Sequence, residues 1–110
     1  MATTTYKTLG QSNPSATTAT TLYTVPSATQ AICSTLVIAN QAATAGTFRI
    51  AIRVAGATLE AKQYIAYDVA IGANDSTSLT LGITLGAADV VTVYASSATM
   101  SFNLFGSEIA

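Results

Sequence analysis

Histidine and tryptophan are absent, cysteine occurs once, proline twice, and charged side chains make up only 8% of the chain. Each shortage removes a class of function. Without histidine there is no ordinary general base at neutral pH, no Ser-His-Asp or Cys-His arrangement, and none of the commonest ligand for transition metals. Cys33 has no second thiol to bridge to and no histidine to activate it, so within its apolar run it reads as a small buried hydrophobe. The five acids Glu60, Asp68, Asp75, Asp89 and Glu108 fall on different predicted elements, and no pair has the spacing of an acid/base couple. Single glycines, none in a Gly-rich loop ahead of a Lys-bearing helix, give no cradle for phosphates. The chain is therefore expected to be no enzyme, with no catalytic residue, no metal and no cofactor.

The scarcity of charge also bounds the partners. Four bases against five acids leave a net charge of -1, and the cations Lys7, Arg49, Arg53 and Lys62 are too scattered to track a nucleic-acid backbone. Charged residues fall far below the roughly 25% of ordinary soluble domains. Thr, Ser, Ala and Gly take their place, and a surface of that kind is cheap to desolvate because few ions must be stripped of water. It reads as surface meant for protein contact, or else as small polar residues decorating exposed strands, where Thr is favoured. No apolar run nears the ~20 residues that span a bilayer, and MATTTYKTLGQ lacks a signal-peptide core. The expectation is a chain made and used without crossing a membrane.

What is present is alternation. From Thr47 to Val54, Phe48, Ile50, Ile52 and Val54 share one face of a strand, with Thr47, Arg49, Ala51 and Arg53 on the other. From Ser78 to Leu85, Leu79, Leu81, Ile83 and Leu85 oppose Ser78, Thr80, Gly82 and Thr84. Met100, Phe102 and Leu104 oppose Ser101 and Asn103. AICSTLVIA, Ala31 to Ala39, is apolar on both faces, as suits a central strand covered on both sides or facing a neighbouring subunit. Tyr64–Ile71, Asp89–Tyr94, Leu22–Val25 and a short edge at Tyr6–Leu9 complete about eight strands. Turn signals separate them at Pro26-Ser27, Ala45-Gly46, Ala55-Gly56, Gly72–Ser76 and Gly86–Asp89. Asn74 and Asp75 suit a hairpin turn better than a hard-cation loop. No helical stripe reaches ten residues, and Leu59–Tyr64 has room for a turn or two. Residues 1–110 are thus expected to form a single all-β domain, an antiparallel β-sandwich of jelly-roll or Ig-like type. Gln11–Thr21, QSNPSATTATT, has no apolar anchor and makes residues 1–21 a candidate N-terminal arm.

Four residues stand out as interface candidates. Arg49 and Arg53 lie four apart on the polar face of one strand, about 13 Å by strand rise, where a planar guanidinium either reaches a neighbour's carboxylate or stays solvated. Tyr64 and Tyr67, with Tyr94, are either interface anchors, a platform for a sugar ring, or core.

Read together in order, TLYTVPSATQAICSTLVIAN, TFRIAIRVAGA, YIAYDVAI and DVVTVYASS, with the FGSEI ending, resemble small virion structural proteins of tailed bacteriophages, including phages of cyanobacteria. The likeness runs over nearly the whole chain and rests on strand pattern, without a catalytic motif. It implies a β-sandwich module attached to a capsid as a decoration or cement protein, or built into a tail or baseplate. It further implies assembly in the host cytoplasm, location on the virion, and partners that are other copies, expected as a homotrimer, and the major capsid protein or other virion proteins. A third reading is a host-surface glycan-binding module using Tyr64 or Tyr67.

Overall fold

Alternation at a period of two buries one face of strands such as Gln30–Asn40 and Met100–Ile109, while the central strand Val90–Ala95 is buried on both; the computed structural model, which describes residues 3–110, pairs eight strands in all. They are β1 (Thr4–Ser12), β2 (Thr20–Thr24), β3 (Gln30–Asn40), β4 (Gly46–Arg53), β5 (Tyr64–Ile71), β6 (Ser76–Leu85), β7 (Val90–Ala95) and β8 (Met100–Ile109). Sheet A runs β1-β8-β3-β6 and sheet B runs β2-β7-β4-β5, all pairs antiparallel. The chain passes from one sheet to the other at almost every connection, the arrangement of a jelly roll and not of an Ig-like sandwich. Two 3-10 turns, Val54–Gly56 and Ala61–Gln63, lie between β4 and β5.

The core forms where the inward faces of the sheets meet. Phe48, Ile50, Val91, Val93 and Ala95 of sheet B pack on Leu36, Ile38, Met100, Phe102 and Leu104 of sheet A. Phe48 and Phe102 meet edge to face across the sheets, with ring centroids 6.4 Å apart. Cys33 is buried and its thiol is free; burial pushes its pKa up to about 11.

Several expected elements shift, each for a physical reason. The stretch expected to be an arm is an edge strand from Thr4 to Ser12, because its backbone finds β8 as a partner. Only residues 13–19 are a connection, and Asn13 tethers it by donating to the carbonyls of Ala98 and Met100; residues 1 and 2 fall outside the described range. β3 is central in its sheet but covered on one face. Ala31, Cys33, Leu36 and Ile38 point inward, whereas Ile32 on the other face is 39% exposed. A bulge at Ser34 keeps both halves of the strand facing the core despite the odd spacing from Cys33 to Leu36. Val54 leaves the strand for a 3-10 turn and is 67% exposed. Gly72–Asp75 carries the chain from β5 in sheet B to β6 in sheet A and so is a crossover, not a hairpin.

Two glycines hold positions that a side chain would spoil. A Cβ on Gly106 would overlap the Ile32 carbonyl oxygen, where β8 crosses the β3 bulge. Gly82 adopts φ +64° in a matching bulge of β6.

Candidate functional site: the faces and edges of the sandwich

Every charged side chain in this molecule with a described ion pair or hydrogen bond is answered from within the chain. Arg49 of β4 stands opposite a bulge in β5, where Tyr67 and Asp68 together face it and Asp68 takes φ +50°. The bulge turns the Asp68 carboxylate toward the guanidinium, which donates from Nε at 2.6 Å and from Nη2 at 3.2 Å. The same guanidinium lies 4.1 Å from the Tyr67 ring centroid and 4.3 Å from that of Tyr94, between the two rings. The hydrogen bond to Asp68, followed by its charge, raises the Arg49 pKa, and the same bond holds Asp68 below the ordinary carboxylate range. Arg53 donates to the carbonyls of Ala57 and Gly56 and so braces the first 3-10 turn. Both arginines thus have hydrogen-bond partners within the chain.

Asp89 accepts from the backbone N–H groups of Ala55 and Gly86, Asp75 from that of Ser76, and Glu60 lies 3.6 Å from Lys62. The fifth acid, Glu108, accepts from Tyr23 of the opposite sheet and from Lys7 of β1 at 3.0 Å. The Tyr23 bond first, then the Lys7 bond, holds Glu108 low. Burial, and then the bond to Glu108, pushes the Tyr23 hydroxyl above the ordinary phenol range.

One whole face is left without ions. Among the described residues, Lys7 and Glu108 are the only charged residues of sheet A, and both belong to the inward rows, as the bond from Tyr23 of sheet B to Glu108 shows. The outer face of sheet A is formed by rows such as Tyr6, Ser107, Ile32 and Thr84, and Gln11, Asn103, Val37 and Ser78. No charged side chain stands in any of these rows. Tyr6 is 84% exposed and Phe105 37%.

Sheet B's outer face is different. Tyr64 and Tyr67 meet edge to face at 5.0 Å and, with Leu59, Glu60 and Ala61, line an open groove of about 610 Å³. Structure thus brings three of the four expected interface residues, Arg49, Tyr64 and Tyr67, into one cluster and sets Arg53 apart at a turn. Asp68, the partner that neutralises Arg49, escapes a sequence reading because a bulge breaks the period of two on which such a reading depends.

No family model and no curated protein matches this chain. Among solved structures the chain is similar to one described by the words "Bacillus endospore appendages form a novel family of disulfide-linked pili", at 20% identity and a TM-score of 0.47, over 99% of this chain and 82% of that one.

Proposed function

We propose that this chain is a structural protein of a tailed-phage virion, a decoration protein that lies against the major capsid shell through the outer face of sheet A. The observation that carries the reading is that face: four strands wide, composed mainly of Thr, Ser, Ala, Asn and Gln with Tyr6, Ile32, Val37, Phe105 and Ile109, and free of ions. A soluble protein ordinarily covers an exposed sheet face with Lys and Glu. A face without them loses little hydration on contact and gains from each apolar group it buries. Jelly rolls form viral shell domains among other proteins, an analogy at the level of the fold. The chain would be made in the host cytoplasm and reside on the particle surface. Particles lacking the protein are expected to lose integrity at lower temperature and in low salt. Deletion particles with a full set of tail parts and wild-type resistance would contradict this role. Location in a tail or baseplate uses the same surface, and copy number separates the two: hundreds per particle for a shell protein, tens or fewer for a tail part.

The groove at Tyr64 and Tyr67 supports a second reading, a saccharide seat. Tyr67 offers an exposed ring for stacking, and the Glu60 carboxylate beside it is an acceptor for sugar hydroxyls. Saturable binding on a glycan array, lost in Tyr67→Ala, is the outcome this reading requires.

A further inference from the structure

The sandwich closes on one side and stays open on the other. At the closed side β1 and β2 are in van der Waals contact: a Cβ on Gly10 would overlap the Leu22 carbonyl oxygen, and Leu9, Leu22 and Tyr23 are buried. At the open side the edge strands β5 and β6 splay apart around a cleft of about 520 Å³. Phe48 forms its floor, with Ile65 and Val69 of β5 and Leu79, Leu81 and Ile83 of β6 along its walls. The β6 residues face inward by register, opposite buried Leu36 and Cys33, yet they are only half-buried. Val69 pairs with buried Phe48 and is still 38% exposed. The core is thus unfinished along this side.

The four strand edges are not equally protected. β2 is five residues long and bulged. β5 is broken by two register shifts. β1 carries Lys7 on its inward row, so laying it beside the cleft would bring an ammonium against leucines. β6 has ten residues, STSLTLGITL, with no charge and no proline, and only the Gly82 bulge interrupts it. Charges, prolines and short length are the usual guards of a sheet edge, and β6 lacks all three.

We propose that β6 pairs with β6 of a second copy, antiparallel about a two-fold axis near Thr80. A strand without charge meets its own image with no like charges opposed. In this register Leu79 faces Leu81 of the other copy next to the axis, ahead of the Gly82 bulge, so the two clefts join into one apolar core. The two-fold axis stands perpendicular to the sheet, which keeps both charge-free outer faces on the same side, now eight strands wide. The inference rests on edge geometry, independent of what the protein decorates, and needs no particle to test it.

Purified full-length protein is expected to sediment as a dimer, and a monomer at millimolar concentration or a homotrimer would overturn the pairing. Thr80 is exposed, so T80K and T80E leave the fold intact. Each variant is expected to associate at least tenfold more weakly, because like charges then oppose each other at the axis. An equimolar mixture of the two is expected to recover the dimer, the introduced ammonium of one copy facing the introduced carboxylate of the other. Unchanged association of either variant, or a mixture that stays monomeric, would refute it. As an independent readout, Thr80→Cys under oxidation should give a covalent dimer while buried Cys33 stays silent, and failure to cross-link counts against the axis.

Discussion

At Gly106 a hydrogen atom is all the space allows. The nearest obstacle to a Cβ is backbone, the Ile32 carbonyl, which cannot rotate away as a side chain would. Gly106→Ala is therefore expected to lower the stability by about 3 kcal/mol or more, read from the urea midpoint, whereas Gly82→Ala, with open space and only the positive φ against it, costs about 1 to 2 kcal/mol. The Tyr23, Glu108 and Lys7 cluster makes stability depend on pH at both ends. Glu108 titrates lower in the fold than in the unfolded chain, so its contribution is complete above the ordinary Glu pKa of about 4.3 and is lost as pH falls below it. Tyr23 titrates higher in the fold, so its contribution is complete below about pH 10 and is lost as pH rises beyond. Thermal melts across pH should show Glu108→Gln flattening the acid limb and Tyr23→Phe flattening the alkaline limb. Sequence displayed both residues and their types, yet nothing in their spacing of 85 positions indicated that they meet.

At the scale of elements, the period-two rhythm made β4, β6 and β8 legible, because alternation is a local consequence of the pleat, and β-branched apolar runs between turn signals located the other strands. The ends of strands were less so. β8 runs on to Ile109 past Gly106, and β1 on to Ser12, since a pairing partner decides where a strand stops and the partner is remote in sequence. Bulges at Ser34, Asp68 and Gly82 were hidden for the same reason. The loop joints were equally unreadable. Asn40 is buried and donates to the carbonyls of Thr44 and Gly72 while its Oδ1 accepts from the Ala42 N–H, so one side chain ties two connections together. Asn40→Ala removes these bonds together; at roughly 0.5 to 1.5 kcal/mol for each, a loss of about 1 to 3 kcal/mol in chemical denaturation is expected, with faster amide exchange in residues 41–45 and 72–75.

For the whole molecule, low charge was the informative number, though composition alone did not show where the charges go. Folding gathers them at the rim between the sheets, at turns and on sheet B, and leaves sheet A's outer face to neutral residues. Arg49 and Arg53, read from the sequence as interface cations, bond to Asp68 and to a turn within the chain. The surface on which the proposed docking rests is the one the sequence made least conspicuous, a face of small polar residues drawn from four strands. Its role is tested most directly by co-sedimentation of purified protein with particles that lack it, comparing wild type with Val37→Lys, a substitution of a half-buried residue in the middle of that face. Wild type is predicted to pellet with the particles and Val37→Lys, folded as judged by its melting curve, to stay in the supernatant. Equal pelleting of the two, or no pelleting of either, would contradict the account.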